Sequence, residues 1–274
     1  GLFHFPGNLS PAPPAQEVMN RGCEFTMEDF KQRLYENGYF RQEELVFWDC
    51  DRDQRVRVAA LLSRLGAFAG YDYDARGLTH DVLWANREVF LLSRAALKIH
   101  ICPRAGDVLD ITTWEAGPKA AHMRRNYEMA DQAGLVRVSA RTDWILVDPE
   151  TRKIMRPSAF ASKPLMTSDR PLDCPETRKI TLPAGTREDL GTREVRWSDL
   201  DGNGHLFSGN YGDIIWDALP GDLQIQTPRE FQINYCREAV LGDVLNLKGL
   251  RSETGYYVEG LGSHGPCFTA LCIF

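Results

Sequence analysis

Asp201, Asn203 and His205 stand at spacing two in the segment Trp197-Ser198-Asp199-Leu200-Asp201-Gly202-Asn203-Gly204-His205-Leu206, with a glycine between each pair. A loop so poor in side chains turns tightly and brings a carboxylate, an amide and an imidazole to one place. An imidazole can hold or return a proton, and an amide can donate to an oxygen that gains negative charge, so the chemistry within reach is attack on a carbonyl. If a helix begins just beyond, its free N–H groups and positive dipole end favour the same charge. Hydrolysis also needs a base or a nucleophile. Glu238, in Ile233-Asn234-Tyr235-Cys236-Arg237-Glu238-Ala239, stands at a strand end beside the turn that Gly242 opens. The same residues admit a plainer account, in which Asp201 or Asn203 caps a helix and Glu238 is a solvated carboxylate. A calcium loop fails: a ligand run begun at Asp199 would put Asn210 at its twelfth position, where a bidentate Glu is required.

Two kinds of element must position these groups. Val58, Leu61, Leu62, Leu65, Phe68 and Ala69 fall on one face of a helix within 56–70. From Leu83 onward the period changes to two: Ala95, Leu97, Ile99 and Ile101 alternate with polar or small residues, and so do Val136, Val138, Ala140, Thr142 and Trp144, as half-buried antiparallel strands require. Residues 157–191 hold five of the fifteen prolines and little periodicity, which marks a linker. The plan then returns. A strand at 194–197 leads through Asp199-Leu200-Asp201 to a helix carrying Tyr211, Ile214, Ile215, Ala218 and Leu219 and stopped at Pro220, as Leu45–Trp48 led through Asp49-Cys50-Asp51 to the first helix. Gly106-Asp107-Val108-Leu109 is repeated as Gly242-Asp243-Val244-Leu245, which suggests an internal duplication. The expected architecture is α+β, each half a long helix wrapped by a curved antiparallel sheet, with the two sheets joined edge to edge. The expected divisions are a flexible, processed leader at 1–22, a first domain at 23–157, a linker at 158–191 and a second domain at 192–274.

Composition narrows the function. With 274 residues, 43% hydrophobic and 26% charged, the chain is that of a globular protein of two domains. No apolar run is long enough to span a bilayer. The first eighteen residues, with prolines at 6, 11, 13 and 14, lack the plan of a secretory signal. Seven cysteines without a C-x-x-C pair fit a reducing cytosol. A net charge of −6 removes the general attraction to nucleic acid.

Taken together, these segments resemble the acyl-acyl carrier protein thioesterases of plants and bacteria, from about Cys23 to Phe274. Ser198-Asp199-Leu200-Asp201-Gly202-Asn203-Gly204-His205 is similar to the family's S-D-x-D-x-N-x-H motif, and Tyr235-Cys236-Arg237-Glu238 to its Y-x-R-E segment. Val58-Ala59-Ala60-Leu61-Leu62, and Gly106-Asp107 followed by Thr113-Trp114, match more weakly. The resemblance implies tandem hot-dog domains, hydrolysis of the thioester between a fatty acyl chain and its carrier protein, and neither metal nor organic cofactor. It places the catalytic roles on Asp201, Asn203, His205 and Glu238. It also places the acyl tunnel in the first domain, with Leu61, Leu65, Phe68, Leu83, Trp84 and Val89 as candidate lining and Phe207 near it. Two departures stand out: Ala239 replaces the cysteine that plant members carry after the Glu, and Phe207 and Ser208 replace a pair of asparagines. An acidic carrier would need a local basic patch, for which Arg124, Arg125, Arg137 and Arg141 are the candidates. A hot-dog dehydratase acting on 3-hydroxyacyl chains and a non-catalytic acyl-binding module are the competing readings. A homodimer and acceptance of coenzyme A esters stay open.

Overall fold

The computed structural model describes residues 31–160 and 167–274. The expected leader, Cys23 and part of the expected linker lie outside the described residues. The first half runs β1 (Gln32–Tyr35), β2 (Gly38–Glu44), α1 (Val58–Ala75), α2 (His80–Ala85), β3 (Val89–Ile99), β4 (Val108–Lys119), β5 (His122–Ala130), β6 (Val136–Val147) and β7 (Ile154–Met155). The second runs β8 (Glu188–Glu194), α3 (Asn210–Ala218), α4 (Gly221–Gln224), β9 (Glu230–Tyr235), β10 (Val244–Ser252), β11 (Gly255–Gly262) and β12 (Gly265–Ile273). Helix-then-strands therefore occurs twice. The segments expected as strands at 45–48 and 194–197 are not strands: β2 stops at Glu44 and β8 at Glu194, and each is followed after two residues by a one-turn 3-10 helix, Phe47–Asp49 and Trp197–Asp199.

All strands form one antiparallel sheet, ordered β1-β2-β4-β5-β6-β3-β9-β12-β11-β10-β8, with β7 added on β6. The halves meet where β3 pairs with β9, Ala96 opposite Gln232. These two positions correspond when the repeat is aligned on Gly106 and Gly242, so the join is a near-symmetric pairing of equivalent strands. Each half thereby covers the other's open edge.

Leu61, Leu62, Leu65 and Phe68 of α1 are all but inaccessible and face Leu97, Leu109, Tyr127 and Val138 of the sheet. On α3 the buried residues are Tyr211, Gly212, Ile214 and Ile215, and Pro220 follows the helix end as expected. The helices cross where Gly212 meets Ala59; a Cβ at Gly212 would stand 2.6 Å from the Ala59 nitrogen, so only glycine allows this approach. Arg57 just before α1 and Asp213 on α3 pair at 2.5 Å beside the crossing.

The strands β5 and β6 are buried on both faces rather than half-buried, because the segment around Cys174–Thr177 lies across them. Ser139, Arg141 and Asp143 are each under 9% exposed, with Glu176 and Thr177 bonded to the polar side chains of that face.

Candidate active site

Asp201 organises the glycine-containing loop by its carboxylate. One oxygen accepts the N–H of Asn203 at 2.8 Å and that of His205 at 3.2 Å. The Asp201 N–H in turn donates to the His205 carbonyl at 2.8 Å, and Gly204 turns the chain at φ 79°. Asp199 pins the approach, accepting from the Arg196 N–H at 2.8 Å and pairing with Arg193 at 2.7 Å. The backbone of His205 then bridges to Val240, and the Leu206 N–H reaches the Ala239 carbonyl at 2.8 Å. This bridge ties the loop to the short connection between β9 and β10 that carries Glu238.

As a result, His205 Nε2 stands 3.4 Å from Glu238 Oε2, with both side chains partly exposed. Tyr235, at the end of β9, ties that strand to the chain just after His205. Burial pushes its phenol up, so the hydroxyl stays protonated and donates to the Ser208 carbonyl at 3.0 Å.

Asn203 reaches across to the first half, where it helps line a cavity of about 330 Å3. The small-residue stripe Gly66, Ala69 and Gly70 of α1 lines the same cavity, together with Leu83, Trp84 and Val89. Three of the expected lining residues are thus found there. Leu61, Leu65 and Phe68 are not: they occupy the other face of α1 and belong to the main core, which corrects that expectation. Phe207 does not line this cavity either; it lies beside Gly209 near Ser63 of α1. The spacing i, i+3, i+4 of Gly66, Ala69 and Gly70 was a visible sign of a helix face with room beside it, masked by the stronger apolar face opposite.

At the inner part of the cavity stands a polar cluster. Arg125, 2% exposed, donates to Asp72 at 2.8 Å and to Glu115 at 2.6 Å, and the Tyr73 hydroxyl donates to Glu115 at 3.0 Å. Burial alone would lower the guanidinium's pKa, but the facing charges of Glu115 and Asp72 outweigh it and raise it. Arg125 is therefore no surface contact for a carrier. Arg124 and Arg141 are likewise under 10% exposed and turned on Asp143 and Glu176, and Arg137 is committed to Asp107, Asp131 and nearby carbonyls. The basic patch expected on these strands is corrected: the alternating arginines are neutralised by this chain's own carboxylates.

Sequence reasoning also passed over Arg152. It lies in the turn between β6 and β7 and places a guanidinium nitrogen 2.5 Å from Glu238 Oε2. Its partner is distant in sequence, so no local pattern could have shown it.

Among the described residues no group of side chains is arranged to hold a metal ion, and no helix is long and apolar enough to cross a membrane. The arrangement offers a carboxylate held by an imidazole, and an exposed amide at the rim of an apolar cavity.

Comparison with known proteins places the chain in a family. The chain is 24% identical over 248 residues to the chloroplastic palmitoyl-acyl carrier protein thioesterase of Arabidopsis thaliana, covering 85% of this chain and 60% of that one. It thus spans about 40–60% of the length of the curated plant relatives it matches. The fold is shared with an acyl-ACP thioesterase from Bacteroides thetaiotaomicron, at TM-score 0.76 and 23% identity over 86% of this chain and 97% of that one. The 12:0-ACP thioesterase from Umbellularia californica superposes with TM-score 0.72 at 15% identity, over 88% and 98% of the two chains. The architecture is the tandem hot-dog that the resemblance implied. The family models for the N-terminal and C-terminal domains of acyl-ACP thioesterase match residues 36–158 and 186–259, most of the chain between them; the protein belongs to the acyl-ACP thioesterase family.

Proposed function

We propose that this protein hydrolyses the thioester of fatty acyl-acyl carrier protein, releasing a free fatty acid and the carrier thiol. The observation that carries this reading is the His205–Glu238 contact in the second half, with Asn203 of the same loop on the wall of an apolar cavity in the first. The acyl chain lies in that cavity and presents its carbonyl at the rim. Glu238 takes a proton from a water whose oxygen bonds to the carbonyl carbon, while the Asn203 amide donates to the oxygen that becomes negative. His205 orients the carboxylate. As the carbon–sulfur bond breaks, His205 passes a proton to the departing thiolate and regains one from the protonated Glu238, its neighbour at 3.4 Å. Asp201 acts through the backbone, fixing the N–H groups of Asn203 and His205. Ala239 lies beside the site, so no thiol at that position takes part.

An acidic carrier protein as partner and a reducing cytosol as location belong to the same proposal. The six described cysteines are all unpaired, in keeping with that location. The test is thiol release from carrier-bound acyl chains of graded length. Hydrolysis with a maximum at one length is expected; a folded protein that binds the acyl carrier and releases no thiol at any length overturns the reading.

A further inference from the structure

We infer that Arg152 is a positioning residue for Glu238, so that the site is completed by the first half of the sheet; this rests on the hydrolytic reading above. Arg152 and His205 both approach the same carboxylate oxygen, Oε2, the guanidinium at 2.5 Å and the imidazole nitrogen at 3.4 Å. A carboxylate at the end of a short connection, one third exposed, has several rotamers open to it. A charge-assisted bond from a second element selects one of them.

The turn that carries Arg152 is built to hold it still. Asp148 accepts the N–H groups of Glu150 at 3.0 Å and Thr151 at 3.1 Å, the Arg152 N–H donates to the Asp148 carbonyl at 2.8 Å, and Arg87 pairs with both Asp148 and Glu150. Within this turn Arg152 sits at φ 55°, the left-handed region that side chains with a Cβ resist and glycine adopts freely. The turn by itself would be better served by glycine. An arginine in this conformation, 71% exposed and with its guanidinium on the proposed base, is accounted for by what its side chain does there.

Arg152→Gly separates the two roles, because it removes the guanidinium and relieves the backbone. In the full chain, kcat on acyl-carrier thioester is expected to fall about ten- to a hundredfold, the worth of a hydrogen bond to a charged group. KM is expected to stay within about twofold, as binding in the cavity is untouched. The melting temperature should be equal to or above that of the wild type, and added guanidinium should restore part of kcat in Arg152→Gly but none in His205→Ala. An Arg152→Gly enzyme with unchanged or higher kcat, or one whose lost activity comes with a lower melting temperature and no response to guanidinium, overturns the inference while the active wild type upholds the thioesterase reading. A wild type inactive on every acyl carrier overturns both.

Discussion

Arg55 holds in the first half of the sheet the place that His205 holds in the second. The Asp51 N–H donates to the Arg55 carbonyl at 2.8 Å, as the Asp201 N–H does to that of His205 at 2.8 Å. Val56 reaches the Pro103 carbonyl at 2.9 Å where Leu206 reaches that of Ala239 at 2.8 Å. The register that sets Arg55 on His205 also sets Asp51 on Asp201, Asp53 on Asn203 and Cys102 on Glu238. One backbone frame occurs twice and is armed once. Arg55 is turned on Asp51 and Asp53, and burial pushes the Cys102 thiol up, so it offers no ready nucleophile.

The two aspartates therefore separate folding from chemistry. Asp51 accepts the N–H groups of Asp53 at 2.8 Å and Arg55 at 2.9 Å, as Asp201 accepts those of Asn203 and His205. Asp51→Ala and Asp201→Ala should each cost about 1 kcal/mol of stability, as lost turn-capping groups do. Asp201→Ala alone should slow thiol release, by about tenfold or more, because displaced reacting groups lose rate steeply. Melting curves and thiol assays on both variants check this; an equal rate loss in Asp51→Ala would contradict it.

A larger side chain at Gly70 should shorten the acyl chain that the cavity admits. A Cβ there would meet no heavy atom within 4 Å, and the residue faces the cavity from mid-helix. Gly70→Leu should raise helix stability through propensity, by somewhat less than the about 0.8–1 kcal/mol that separates Gly from Ala, while its side chain fills part of the cavity. The expected result is a melting temperature no lower than wild type and a chain-length profile moved toward shorter acyl groups. Profiles measured with the same graded acyl carriers read it directly.

Removing the buried Arg125 cation should destabilise the fold. Arg125→Met leaves Asp72 to Arg76 and strips Glu115 of its opposite charge in a buried site. Breaking a buried pair from one side costs about 3–5 kcal/mol. Chemical denaturation of the variant should show a loss of that order, and a loss near zero would mean that the pair is not closed to water.

Glu176 gives the protein an acid-sensitive clasp between the 167–187 segment and the sheet. Burial alone would raise its pKa, but hydrogen bonds from Lys119 and Arg124 and the charge of Arg141 outweigh this and bring it to about 2. A carboxyl depressed in the folded state adds stability above its unfolded pKa, about 4.3, and loses it as pH falls toward the folded value. Half the side chain is exposed, so solvent screens part of the gain. The melting-temperature gap between wild type and Glu176→Gln should be widest above about pH 4.5 and close as the pH falls toward 2; a gap constant across this range would contradict the account.

The legible parts of this fold were those written in local periodicity. The apolar face of α1 apart from Ala69, the stop at Pro220 and the Asp201-Asn203-His205 loop depend on spacing within one segment, and the Gly-Asp motif on its recurrence in a second; each stands in the structure where the sequence put it. What spacing could not supply was the covering of the second sheet face by Cys174–Thr177, since a strand pattern does not say what lies across it. That covering is why Arg124 and Arg141 are buried pairs rather than a patch for a partner. The resemblance names Leu61, Leu65 and Phe68 as candidate lining, yet the cavity lies against the small residues Gly66, Ala69 and Gly70 of the other face of α1. Arg152 was invisible because its meaning lies in a contact between the halves.

The most direct test of the site is thiol release under single-turnover conditions from one well-accepted acyl carrier, by wild type, Asn203→Ala, His205→Ala and Glu238→Gln of equal melting temperature. The account predicts a loss of about a hundred- to a thousandfold for Asn203→Ala, as for other lost oxyanion donors, and rates near background for Glu238→Gln. Wild-type turnover in either Asn203→Ala or Glu238→Gln would contradict it.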